Sequence, residues 1–224
     1  MEKLSEIEGI EWIRLHYTYP AGFPKDLPDI IKENPKINNY IDLPVQHIND
    51  EVLKSMRRGI NRNDTIDLLN VLREKIPGLS IRTTLIVGHP GETIKAYDEL
   101  KIFVLEQKFD RLGVFKYSHE EDTWSYNNYK DDISDKIKTE RMEELHSIQA
   151  GISYNLNKKK IGQELDVIID RKENNYYIGR TRADSPEIDN EVLIKINNKI
   201  IIPGNIYRSK ITNAEEFDLY AEIL

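Results

Sequence analysis

Cysteine is absent from this chain of 224 residues. Without a thiolate it can form no disulfide, no thiolate zinc site and no thiolate-held iron–sulfur cluster. Long apolar runs are absent as well. No stretch reaches the roughly 18 residues of a membrane-spanning helix, and no charged-then-apolar leader opens the chain. No membrane partner is expected, and the cytoplasm is the expected location. Positive charge is in deficit, with 32 Lys and Arg against 39 Asp and Glu, a formal net charge of −7. A general nucleic-acid binder needs a net or clustered positive surface, so that class is disfavoured, whereas a basic partner protein is not. The local basic clusters, Lys54/Arg57/Arg58/Arg62 and the run 158–160, read as solvated faces or helix-end charges.

What is present suffices for a packed core: 39% of residues are apolar, and the length suits one large domain or two modest ones. The first two thirds alternate strand-like and helix-like segments, the pattern of parallel β/α units. Strands are expected at 11–17, 40–43, 80–87 and 111–117, and helices at 26–33, 49–56, 64–75 and 93–107. Four such strands do not close an eight-stranded barrel, so an open half-barrel is expected. Ile137, Arg141, Leu145, Ile148, Ile152 and Leu156 step by three or four residues and predict a long helix ending near Gly162, with Arg141 interrupting its apolar stripe. Short strands follow at 164–170, 176–181, 191–196 and 206–222, the last in one or two pieces. Turns fall at 173–175, Asn197-Asn198 and 203–205. This suggests a small OB-like β-barrel. The predicted domains are 1–159, α/β, and 160–224, all β.

Three segments carry candidate chemistry. Asp42-Leu43-Pro44-Val45-Gln46-His47 places polar side chains where a strand ends, the position at which parallel β/α folds keep their sites. Gly88-His89-Pro90-Gly91-Glu92-Thr93 joins a strand to a helix; its glycines allow close backbone approach to a ligand, and a capped tight turn explains it equally well. Residues 176–189 run from a strand into a turn bearing Arg180, Arg182, Asp184, Glu187 and Asp189. Arg14 and His16 share a strand face, where Arg14 meets either an anion or a salt-bridge partner. Glu120 and Glu121 are adjacent and diverge, so they cap a helix or face a basic partner rather than act as an acid/base pair.

In this order the segments resemble the radical SAM methylthiotransferases, over nearly the whole chain and most closely the branch that modifies a ribosomal protein. The resemblance implies a partial radical-SAM β/α barrel followed by a TRAM-like barrel. It implies that Ile86, Val87 and Gly88 line the adenine of S-adenosylmethionine, that Gln46 meets its ribose, and that His47 and Arg14 belong to the same cofactor site. It assigns Arg180, Arg182, Asp184, Glu187 and Asp189 to a basic substrate protein. Where this family usually shows Phe and Gly, the chain has His89 and Asp122.

The resemblance further implies two 4Fe–4S clusters in the full-length enzyme, held by cysteines that this chain lacks. The chain is therefore expected to be a C-terminal piece, with no catalytic residue, metal ligand or bound cofactor of its own, partnered by the missing N-terminal part. The implied reaction is methylthiolation at the β-carbon of an aspartate in a small-subunit ribosomal protein, through reductive cleavage of S-adenosylmethionine, hydrogen abstraction and sulfur transfer. The alternatives are a relative that methylthiolates tRNA adenosine, or a non-catalytic module for ribosomal protein or RNA, the RNA contact being made through the TRAM-like barrel.

Overall fold

Helices in this chain start at short polar side chains. Asn49, Asn61, Thr93, Thr123 and Ser134 sit in extended backbone and accept hydrogen bonds from amides of the following turn, satisfying donors the helix leaves unpaired. The computed structural model describes residues 1–196 and 200–224. Its first part contains α1 (Glu2–Ser5), β1 (Ile13–Leu15), α2 (Leu27–Glu33), β2 (Ile37–Asp42), α3 (Asp50–Ser55), α4 (Arg62–Lys75), β3 (Ser80–Val87), α5 (Ile94–Gln107), β4 (Arg111–Lys116) and α6 (Trp124–Asn128). The long α7 (Asp135–Lys158) leads to β5 (Glu164–Glu173), β6 (Tyr176–Arg180), β7 (Glu191–Lys195), β8 (Ile206–Ala214) and β9 (Asp218–Ile223).

Strands β1 to β4 form a parallel sheet in sequence order. Its two faces differ because strand side chains alternate. Ile81, Leu85 and Val87 of β3 join Ile31, Leu69, Leu72, Leu100, Phe103 and Leu145 in one core between sheet and helices. Arg14, Tyr40, Arg82, Thr84, Ile86, Arg111 and Phe115 lie on the opposite face. Strands β5-β6-β7-β9-β8 close a barrel, with β7 and β9 parallel and the other pairs antiparallel. A second core of Val167, Ile169, Val192, Ile194, Ile211 and Leu219 fills it. Gly179 permits this closure, since a Cβ there would stand 2.4 Å from the Ile168 carbonyl oxygen.

The partial β/α barrel and the small β-barrel are both present as expected. Three local readings need correction. Strand β2 begins at Ile37, earlier than 40, because Ile37 packs into the helix-side core while Asn38 turns away from it. Helix α6 was not anticipated; Thr123 caps it after Asp122 turns the chain at φ 63°. The most buried stripe of α7 is largely polar: Lys138, Arg141, Gln149, Ser153 and Asn157 around Leu145. Gln149 donates to the Phe109 carbonyl at 2.9 Å and Asn157 to the Glu215 carbonyl at 3.1 Å, so α7 ties the sheet to the barrel by hydrogen bonds. The expected Asn197-Asn198 turn lies outside the described residues.

Candidate cofactor site and the junction beneath it

Beyond β2 the chain stays bonded to β3. The Gln46 amide donates to the Thr84 carbonyl at 2.9 Å, and the Ile86 amide donates to the Gln46 carbonyl at 2.8 Å. Gln46 holds a φ of 68° there, a conformation L-residues rarely adopt outside functional or tightly constrained turns. Its Oε1 is buried and has no hydrogen-bond partner among the described residues. Ile86, bonded to it through the backbone, is half-buried. A buried, unpaired acceptor thus belongs to a residue whose peptide is bonded on both sides to β3.

Behind this turn lies a buried carboxylate. Glu92, with no side-chain exposure, accepts from the Gly88 amide and from Arg141 Nη1, and its Oε1 faces His47 Nε2 at 3.1 Å. The Asn49 amide donates to His47 Nδ1 at 3.0 Å, so the His47 proton resides on Nε2 and is donated to Glu92. His47 is wholly buried and serves as an anchor for Glu92; it does not line the open face. Val87 is likewise buried in the helix-side core. Gly88, at φ 76°, would bring a Cβ to 2.3 Å from Lys138 Cγ, so the space over this glycine holds the Lys138 stem. Of the triplet Ile86-Val87-Gly88, only Ile86 presents a side chain to the open face. Burial lowers the pKa of the neighbouring His89 below the usual imidazole value.

Arg14 lies lower on the sheet. It donates to the Arg182 carbonyl at 3.0 Å and stacks 4.3 Å from the Tyr40 ring centre, while its Nη2 is buried without a hydrogen-bond partner among the described residues. It lines a groove of about 830 Å³ between β1 and the barrel, together with Trp12, Asn38 and Arg180. The Asn38 side-chain amide is buried with neither end paired among the described residues. Arg14 is therefore a junction residue, held away from Gln46 by its place at the start of the strand.

The acidic turn after β6 reaches into this same junction. Asp184 Oδ1 accepts from Arg111 Nε at 3.0 Å and also from Nη2, and Oδ2 accepts from the Thr181 hydroxyl. Burial alone would raise the Asp184 pKa, but Arg111 and Lys160 outweigh it and hold the carboxyl below the usual range. Asp189 accepts from Arg82 at 2.7 Å and from the Tyr40 hydroxyl at 2.8 Å. Burial, then Asp189, pushes the Tyr40 hydroxyl up. Arg180 pairs with Asp170 at 3.1 Å, and Arg182 donates to the Pro35 carbonyl at 2.6 Å. Glu187 alone of the three acids is exposed. The expectation of an outward acidic patch is thus corrected for Asp184 and Asp189: two arginines on the open sheet face demand counter-anions, and the turn provides them.

Sequence reading missed Glu92 and Arg141 as a pair, although Arg141 in an apolar stripe was a usable sign that a buried acid stood opposite. Among the described residues, no group of three or more His, Asp or Glu is placed to hold a metal ion.

Family models place a radical SAM superfamily domain at residues 1–104 and a TRAM domain at 161–224. The ribosomal protein uS12 methylthiotransferase RimO of Christiangramia forsetii is 53% identical over the whole chain and 50% of its own length. That of Bacteroides thetaiotaomicron is 50% identical, over the whole chain and 51% of its length. The chain thus carries a radical SAM superfamily domain and a TRAM domain and is similar over its whole length to these methylthiotransferases. It spans about half the length of the curated relatives it matches. The solved structure of Escherichia coli coproporphyrinogen III oxidase (HemN), described as a radical SAM enzyme, aligns with 65% of the chain and 33% of its own, with a TM-score of 0.54 and 26% identity.

For a radical SAM methylthiotransferase the implied cofactor is S-adenosylmethionine. The unpartnered Gln46 Oε1 fits its adenosine end, as an acceptor for a hydroxyl, and the half-buried Ile86 is bonded through its amide to the same residue. The iron–sulfur clusters find no ligand here, since the chain has no cysteine.

Proposed function

We propose that this chain is the C-terminal part of an enzyme that adds a methylthio group to the β-carbon of an aspartate in ribosomal protein uS12. The observation that carries this reading is identity near one half with uS12 methylthiotransferases along the entire chain. The cofactor and its clusters would supply the hydrogen-abstracting and sulfur-donating chemistry when bound. The chain's own residues bind and orient. Gln46 would accept from a ribose hydroxyl, Ile86 would support the adenine, and the Glu92–Arg141–His47 cluster keeps the Gly88 turn in register behind them.

The N-terminal part of the enzyme would seat on the β1 edge. That edge has no strand beyond it in the described sheet, and the Arg14 Nη2 and Asn38 amide below it lack partners. We take residue 160 as the domain boundary, the ribosome-containing cytoplasm as the location, and the TRAM domain as a further contact to protein or RNA. No described helix is long and apolar enough to cross a membrane.

The test joins this chain to the N-terminal half of the Christiangramia forsetii relative, reconstitutes the clusters anaerobically, and follows intact uS12 by mass spectrometry with tRNA as control substrate. Gain of one methylthio group on uS12, lost on Asp→Ala replacement of the modified residue, is the expected result. Modification of tRNA alone would refute the reading.

A further inference from the structure

Helix α7 turns a polar stripe toward the sheet and the barrel, and most of that stripe is paired. Arg141 meets Glu92, Lys138 meets Asp131, and Asn157 reaches the Glu215 carbonyl. Gln149 uses its Nε2 on the Phe109 carbonyl at 2.9 Å, which fixes the orientation of its carboxamide. Its Oε1 can only accept, and it is buried with no hydrogen-bond partner among the described residues. One turn further on, Ser153 is 2% exposed and its Oγ has no such partner either. A serine inside a helix usually points to solvent or donates to the carbonyl four residues back. Ser153 does neither.

Gln149 and Ser153 share one helix face, four residues apart, and line the same cleft of about 120 Å³. Asn190, 6% exposed, lines it from the residue before β7, and its Nδ2 is a third buried group without a partner among the described residues. An acceptor, a hydroxyl and a donor thus meet one cleft from two elements of the chain. Arg111 lines it too, but its Nε and Nη2 go to Asp184 and its Nη1 to the Asp110 carbonyl. The three groups are therefore left to a ligand, since each would carry the full desolvation cost of an unpaired polar group in a dry interior. Ile188 and Phe217, 55% and 50% exposed, are the solvent-side members of the lining.

We propose that this cleft is an internal hydration site, in which ordered water accepts from Asn190 Nδ2, donates to Gln149 Oε1 and bonds the Ser153 hydroxyl. Water fits because it gives and takes hydrogen bonds at one atom and carries no charge. An anion would face the Gln149 acceptor, and a cation would face the Asn190 donor. A buried water needs two to four polar partners and roughly 10–15 Å³ of such space, and the cleft offers three partners and room for more than one molecule. Bridging water is nearly as favourable as a direct bond. The joint between sheet and barrel is then bonded directly at the Phe109 and Glu215 carbonyls and through water between them. This site is independent of the reaction that the enzyme catalyses.

Water-selective NOE and ROE spectra of the ¹⁵N-labelled chain test it. The side-chain amide protons of Gln149 and Asn190 should show cross-peaks to water with the relative sign of a bound, slowly exchanging molecule. Ser153→Ala removes the hydroxyl that could relay exchange, and the cross-peaks should persist in that variant. Their absence from the parent chain, or their loss in Ser153→Ala, overturns the site. A high-resolution crystal structure gives an independent readout: a water peak within hydrogen-bond distance of at least two of the three groups is expected. A cleft in which these groups pair with protein atoms, stays dry, or holds an organic molecule in place of water overturns the proposal.

Discussion

Asp184 and Arg111, 73 residues apart in sequence, form one buried ion pair in which a single carboxylate oxygen accepts from both Nε and Nη2 of the guanidinium. It joins the acidic turn after β6 to the first residue of β4, and so couples the barrel to the sheet. Removing one partner strands the other charge in the interior. Asp184→Ala should therefore destabilise the chain by about 3–5 kcal/mol in urea unfolding, while the double variant R111M/D184L should recover most of that loss. Equal loss in single and double variants would show that the pair's geometry, and not the stranded charge, sets the cost.

The same pair fixes an acid limit. The folded-state pKa of Asp184 lies below its ordinary value. A depressed carboxylate contributes stability above its unfolded pKa and loses it as pH falls through the folded value, so this contribution fades below about pH 4. Asp110, raised by burial, acts with the opposite sign and partly masks the effect. Stability measured from pH 6 down to pH 3 should fall less steeply in D184N than in the parent chain.

Glu92 holds three elements at once, through the Gly88 amide, Arg141 of α7 and His47 after β2. Glu92→Ala should cost about 3–5 kcal/mol, because it leaves Arg141 buried and unpaired. Hydrogen exchange at the Gly88 amide should accelerate in the same variant, and R141M/E92L should restore stability without restoring that protection. An unchanged Gly88 amide would mean that the turn holds itself.

Gly88→Ala meets two obstacles. Its φ of 76° disfavours any Cβ by about 1–2 kcal/mol, and the new methyl would press on Lys138 at 2.3 Å. Lys138→Ala in the same chain should relieve the second obstacle and leave the first. Thermal unfolding of the two variants separates them, and full recovery in the double variant would show the backbone to be unstrained.

Much of the architecture was legible because it rests on local patterns. The strand pattern of β3, the capping residues Asn49 and Thr93, and the Gly162 stop each report a short-range preference. The site was less legible. Gln46 was identified by its place after a strand, yet its left-handed backbone and unpaired Oε1 arise only once β3 binds both sides of its peptide. His47 read as a neighbour of the cofactor because sequence order cannot tell which of two adjacent side chains turns inward.

The sequence by itself determined the parallel sheet, the small barrel and the lack of any thiolate ligand, since composition, periodicity and turn chemistry act within a few residues, while its motifs carried the family resemblance. Only the tertiary structure decided what the charges do. Asp184 and Asp189 resemble a docking patch in one dimension. In three dimensions they are the counter-anions of Arg111 and Arg82, because a charge leaves water only where another meets it, and that meeting spans 73 and 107 residues of chain.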